Sequence, residues 1–166
     1  MDDKTRWLST AERDAWLGLI GVVELLPGAL DGQLQRDAGV SHFEYMVLAM
    51  LSQAPKHTLR MTALAAQTNS TLPRLSHVVT RLVSRGYVER VPCPQDQRAT
   101  NAQLTDEGWQ HIQQSAPGHV AAVRQFVIDS LSADQIKQLG DISASILTRL
   151  DPANRFSGTP GKGGSQ

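Results

Sequence analysis

Apolar positions in the middle of the chain fall into two helical runs and two short strand-like runs, separated by polar breaks. Leu64 and Ala65 belong to a short helical pattern that stops at Thr68, Asn69, Ser70 and Thr71. Leu75, Val78, Val79 and Leu82 then recur at the i, i+3, i+4, i+7 spacing of one buried helix face. This second helix should begin at Ser70 or Thr71, with Pro73 tolerated because first-turn amides have no intrahelical partner. Gly86 should end it, since glycine takes positive φ freely just past a last turn. Strand-like runs follow at 87–91 and 100–104, joined by a polar loop over 92–99. Helix, turn, helix and hairpin in that order make a winged helix-turn-helix over 41–105, a module that sets its second helix in a DNA major groove.

The flanks are helical as well. Ser9 and Glu12 have capping-box spacing, and a long pattern follows through Trp16, Leu19, Ile20, Val23, Leu26, Leu30 and Leu34. Pro27 lies inside it and should kink rather than end it, because the spacing resumes beyond. Ser41 and Glu44 form a second capping box, opening a helix with Phe43, Met46, Val47, Met50 and Leu51 on its buried side; Ala54-Pro55 closes it. Leu59 to Met61 suit a one-turn strand paired with the wing, and Thr62 caps the next helix. Past the wing, Thr105 with Asp106 and Glu107 starts a helix that should run to about Ser130, interrupted at Pro117-Gly118, with Val120, Val123, Phe126 and Val127 as its later apolar face. Ser132 and Gln135 cap a last helix through Ile136, Leu139, Ile142, Ile146, Leu147 and Leu150. Residues 1–8 and the glycine- and proline-rich tail 151–166 should be disordered.

The expected fold is therefore mainly α with a small β-wing: one domain over 9–150, its winged module flanked by dimerisation helices at 9–36 and 106–150. The end helices carry more apolar surface than so small a module can cover, which points to a homodimer. A two-fold dimer sets two reading helices about one DNA turn apart, ~10 base pairs, and so asks for a pseudo-palindromic double-stranded site.

Composition changes this picture at few points. The 166 residues have a formal net charge of zero, but the average hides an asymmetry. Lys56, Arg60, Arg74, Arg81, Arg85, Arg90 and Arg98 face only Glu89 and Asp96 in the same stretch, 7 − 2 = +5, leaving −5 for the rest. A basic middle between acidic ends matches a local phosphate-binding face rather than a general polycation. No apolar run approaches 18 residues, so no membrane span is expected, and the acidic N-terminus is unlike a secretory head. The single cysteine, Cys93, excludes an internal disulfide. A soluble, cytoplasmic protein is expected. His111 and His119 are eight apart across a proline, which is not a metal-ligand spacing, and no nucleophile motif is present. No metal, cofactor or catalytic residue is expected, and the chain does not read as an enzyme.

The run from Asp96 to Gly108, DQRATNAQLTDEG, resembles the D-x-R wing and L-T-x-x-G helix start of the MarR (multiple antibiotic resistance regulator) family. RLSHVVTRL from Arg74, followed by Arg85-Gly86, fits that family's recognition helix. Thr80 stands where the family often carries Asp, and Ala99 where the commonest wing has glycine. The resemblance spans residues 10–150. It implies a dimeric transcriptional regulator, usually a repressor released by a small aromatic or phenolic effector, or by cysteine oxidation in some members.

Within that reading Ser70, Thr71, Arg74, Ser76, His77 and Arg81 are DNA-contact candidates from the second helix, Arg81 toward phosphate. Arg98 at the wing tip suits a narrow minor groove, with Asp96 expected to hold its guanidinium by a bidentate pair. The plainer reading of these side chains is a solvated face. Trp16, His42, Tyr45, His111 and His119 are candidates for an effector cavity between the end helices and the winged module, against ordinary core roles. Cys93, between Pro92 and Pro94, is expected to be exposed, but a redox sensor needs a thiolate-stabilising site and a partner thiol. The alternative function is a winged helix that serves as a protein-interaction module without an effector, which leaves the basic face without a purpose.

Overall fold

The computed structural model describes residues 5–94 and 96–156. Helix α1 (Thr10–Ala38) opens on the Ser9–Glu12 capping box, runs on through Pro27 and ends at Gly39. Helix α2 (His42–Gln53) opens on the second capping box, Ser41–Glu44. Such boxes satisfy two free first-turn amides reciprocally, and an N-cap is worth about 1 kcal/mol. The buried face of α2 is Tyr45, Val47, Leu48 and Leu51. Phe43, Met46 and Met50 are only half-buried, so the inward stripe is turned about one residue from the expected one.

A 3-10 turn at Pro55–His57 follows, then strand β1 (Thr58–Arg60) and helix α3 (Met61–Gln67). The strand lies one residue earlier than expected, and Arg60 rather than Thr62 stands at the N-cap of α3, without a side-chain cap. Helix α4 (Leu72–Ser84) is capped by Thr71 and buries Leu75, Val78, Val79 and Leu82, the four positions its spacing singles out. Gly86 follows at φ 77°, in the left-handed region that favours glycine.

Strands β2 (Val88–Cys93) and β3 (Asp96–Leu104) form the wing, and β3 is the centre of a three-stranded antiparallel sheet ordered β1-β3-β2. The strands are longer than the sequence suggests: pairing continues from Val88↔Leu104 out to Cys93↔Asp96 past an irregularity at Pro92/Cys93. Of the described residues between the two strands, only Pro94 lies outside them.

Helix α5 (Asp106–Phe126) is locked to the module by the L-T-x-x-G residues. Thr105 Oγ1 donates to the Gly86 carbonyl at 2.6 Å and accepts from the Gly108 amide at 3.0 Å. A Cβ at position 108 would collide with the Tyr87 carbonyl oxygen, so α5 can start this close to the wing only with glycine there. The helix is not interrupted at Pro117-Gly118; it ends at Phe126, before a 3-10 turn at Ile128–Ser130. Its buried residues are Gly108, Ile112 and Ala122, while Val120 and Phe126 are exposed.

Helix α6 (Ala133–Leu150) begins at the Ser132–Gln135 capping box and buries none of its residues. Asp151 accepts from the Phe156 amide at 2.7 Å, so 151–156 fold back as a turn rather than forming the start of a loose tail. The rest of the expected tail, 157–166, lies outside the described residues, as do residues 1–4.

One core joins α2, α3, α4, the sheet and the ends of α1 and α5, through Leu34, Val40, Leu48, Leu51, Leu64 and Leu82 among others. Helix α1 is also long and apolar enough, by length and composition, to cross a membrane, against the expectation that no such stretch exists. Its apolar residues are interrupted by Glu24, a carboxylate that hydrocarbon would penalise.

Candidate nucleic-acid interface

The turn between α3 and α4 is fixed locally. Asn69 takes φ 47°, Thr68 Oγ1 donates to the Leu64 carbonyl at 2.8 Å, and the Ser70 amide donates to the Ala65 carbonyl at 2.9 Å. Thr71 Oγ1 then accepts from the Arg74 amide at 3.4 Å to start α4. With Leu75, Val78, Val79 and Leu82 turned inward, the other side of α4 presents Thr71, Arg74 and His77 to solvent, with Ser70 and Ser76 half-buried. The Arg74 guanidinium lies 4.5 Å over the Phe43 ring, an aromatic seat that limits its freedom without opposing its charge.

Arg81 does not join that face freely. Its Nε donates to Glu44 Oε1 at 3.0 Å, and Glu44 is a buried side chain whose other oxygen caps the Ser41 amide at 2.8 Å. Arg85 donates to the Gly39 carbonyl at 2.9 Å and lies 4.0 Å from the same carboxylate. Burial opposes ionisation of Glu44, but the Ser41 amide and the Arg81 guanidinium outweigh it and hold the carboxyl below its ordinary value. Arg81 therefore clamps α2 to α4 through its Nε, while its side chain stays about half exposed.

The wing also differs from expectation in its pairing. The Asp96 carboxylate is bound to the Arg60 guanidinium of β1, and its other oxygen accepts the Arg98 backbone N–H at 3.0 Å. Asp96 thus holds the backbone at Arg98 and leaves the guanidinium exposed, instead of forming the expected bidentate pair with it. Cys93 is buried, not exposed, because strand pairing extends to it. That removes it from the accessible surface a redox sensor needs.

Arg90 of β2 was not singled out by spacing, yet it joins wing to helix. Its Nη2 donates to the Ser76 carbonyl at 2.8 Å, Ser76 Oγ at 3.1 Å and Thr80 Oγ1 at 3.0 Å. The available signal was strand alternation, which puts Arg90 on the same face as buried Val88, toward α4. Arg60, Ser76, Arg90, Asp96 and Arg98 line an open groove of about 550 Å³ between α4 and the wing. Three arginines against one carboxylate leave it at 3 − 1 = +2.

The expected effector residues separate into three places. His42, Tyr45 and His119 come together where α1, α2 and α5 meet: the His119 ring is 4.4 Å from Tyr45 and 6.1 Å from His42. The His42 amide donates to Asp31 of α1 at 2.8 Å. Among the described residues His42 Nδ1 and His119 Nδ1 are buried without a hydrogen-bond partner. Burial pushes both histidines below their ordinary pKa, partly offset at His42 by Asp31 and reinforced at His119 by His42. His111 is apart from them, stacked on Tyr87 at 4.4 Å, its pKa lowered by burial and by Arg85. Trp16 is half exposed and lies fifteen residues before Asp31 on α1, about 22 Å along the helix at 1.5 Å per residue. It therefore cannot share a cavity with His42 in one chain.

No group of three or more His, Cys, Asp and Glu side chains suited to a metal ion occurs among the described residues. What the site offers is a cationic groove and an exposed helix face, both rigidly mounted.

Comparison with known proteins points the same way. The MarR family profile matches residues 40–100. Sco3205, a MarR family transcriptional regulator from Streptomyces coelicolor solved in complex with DNA, is 46% identical; the match covers 88% of this chain and 95% of that one, with a TM-score of 0.84. AbsC, also a MarR family regulator from Streptomyces coelicolor, is 35% identical over 88% of this chain and 98% of its own, with a TM-score of 0.82. The HTH-type transcriptional repressor YetL of Bacillus subtilis is 31% identical over 107 residues, 63% of this chain. The chain spans 64% of the length of YetL, less than two thirds.

Proposed function

The chain belongs to the MarR family of transcriptional regulators, and from that premise we propose that it binds double-stranded DNA as a cytoplasmic homodimer. As a member of a family of regulators it is not an enzyme. The single observation that carries the DNA-binding reading is the groove of net charge +2 between α4 and the wing, with the exposed Arg74 and His77 beside it. In this reading α4 enters the major groove through Thr71, Arg74 and His77, with Ser70 at its entry, and Arg98 reaches the adjacent minor groove. That Sco3205, 46% identical, was solved in complex with DNA supports DNA binding as such.

Dimerisation rests on α1 and α6, whose apolar side chains, among them Leu17, Leu25, Leu139 and Ile142, are exposed in the single chain. A two-fold pair explains both stripes at once and calls for a pseudo-palindromic site. Repression is the direction favoured by the relative named a repressor. An effector, aromatic or phenolic, would enter beside His42, Tyr45 and His119, where a phenol or carboxylate meets two unpartnered ring nitrogens. Ligand would then act by favouring a dimer shape that fits DNA less well.

The test is fluorescence anisotropy of a labelled duplex of random sequence, titrated at several salt concentrations. Binding whose log K falls linearly with log salt supports the reading. Folded protein that does not bind duplex DNA at low salt refutes it, and leaves the winged helix as a protein-interaction module.

A further inference from the structure

The basic side chains of the winged module differ in what opposes their charge. Arg60 pairs with Asp96, and Arg81 and Arg85 share Glu44. Arg90 does not pair with an acid. Its three contacts, the Ser76 carbonyl and the Ser76 and Thr80 hydroxyls, are all neutral acceptors. Among the described residues no carboxylate lies within ion-pair distance of it, and neighbouring Glu89 points to the opposite face of β2. All three contacts use Nη2, so the Nε and Nη1 donors of the guanidinium are uncommitted. The side chain is exposed and lines the groove between α4 and the wing.

We propose that Arg90 is a DNA-backbone contact that also sets the angle between the recognition helix and the wing. One nitrogen braces Ser76 and Thr80, while the free donors and the whole positive charge meet a phosphate of the strand lying in the groove. Neutral acceptors suit both tasks, because a carboxylate in their place would hold the arginine but cancel its attraction for DNA. The same brace uses Ser76 Oγ as an acceptor and leaves its hydroxyl hydrogen free to donate. This inference rests on the DNA-binding reading above and adds a residue to it.

The experiment measures binding to a random-sequence duplex over a salt series for the full chain and five variants, with circular dichroism and dimer state as controls. Arg90→Gln should lower affinity roughly tenfold near 0.1 M salt and reduce the magnitude of the log K–log salt slope by about one. Arg90→Lys should keep the slope, since it keeps the charge, while losing part of the affinity because a point ammonium cannot reproduce the fork. Thr80→Asp should raise the melting temperature by giving Arg90 an anionic partner, yet reduce the slope. Adding Arg90→Gln to Thr80→Asp should then change the slope little. Arg81→Gln, whose charge Glu44 already opposes, should leave the slope as it is. If Arg90→Gln lowers only the melting temperature and keeps the wild-type slope, Arg90 is a structural brace and the proposal fails. Absence of binding by the wild-type chain would overturn the DNA-binding reading itself, and this inference with it.

Discussion

Helix α4 buries Leu75, Val78, Val79 and Leu82, whereas α6 buries none of Ile136, Leu139, Ile142, Ile146 and Leu150. Both helices carry apolar side chains at helical spacing, so the pattern alone does not separate them. The difference is in what lies opposite. Helix α4 is backed by α3 and β2, and each fully buried leucine or valine contributes about 1.5–3 kcal/mol. Helix α6, like the first half of α1, buries no side chain against the described residues of its own chain. The winged module is thus closed on itself, while the ends form a surface that a second copy would close. Large contiguous apolar patches of this kind mark interaction sites.

Charging the α6 face should therefore have the largest effect. Leu139→Asp combined with Ile142→Asp is expected to abolish dimerisation, read by sedimentation, and to lower DNA affinity by more than any single contact residue. A dimer that survives the double change would show that α6 is not the joint. In the module the corresponding change acts on folding instead: Leu82→Ala should cost about 2–5 kcal/mol of stability in denaturant unfolding. A cost below about 1 kcal/mol would mean the core is less closed than its burial implies.

Smaller effects belong to the wing. Arg98→Ala should lower DNA affinity by roughly 1–3 kcal/mol and the salt-slope magnitude by about one, at unchanged stability. Asp96→Asn removes a negative charge near DNA, so electrostatics alone favours tighter binding. Because Asp96 holds Arg60 and the Arg98 backbone amide, weaker binding is expected instead. Tighter binding would reduce the acid to a surface charge.

Much of this was legible in local sequence, because its causes are local. The three serine capping boxes, the turn at 68–71, the buried stripe of α4 and the stop at Gly86 each depend on residues a few positions apart. What was not legible depends on which elements meet. Glu44 reads as a capping residue, yet it also receives Arg81, thirty-seven positions away. Asp96 reads as the partner of Arg98, but β1 pairs with β3 and brings Arg60 to it. Trp16 and His42 belong to apolar patterns close in sequence, but the unbroken course of α1 carries them apart. Pro117 likewise fails to break α5.

The least effect is on pH. Half-buried His42, His111 and His119 have pKa values lowered from the ordinary 6.5 in the folded state, so below that pH the unfolded chain binds more protons than the native one. Stability is then complete above pH 6.5 and declines as pH falls through the folded values. Glu44, held below its ordinary 4.5, adds a further loss below about that pH. Melting curves from pH 8 to 4 should show both declines, and His119→Gln should flatten the first. A melting temperature that rises on acidification would contradict the burial of these rings.

Sedimentation velocity of the full chain, alone and with a labelled duplex of about 30 base pairs, puts both halves of the contrast to one test. The expected result is a particle of about 36 kDa, twice the 18.1 kDa chain, that binds the duplex as a unit and releases it as salt rises. An 18.1 kDa monomer that binds the duplex with undiminished affinity would contradict the account.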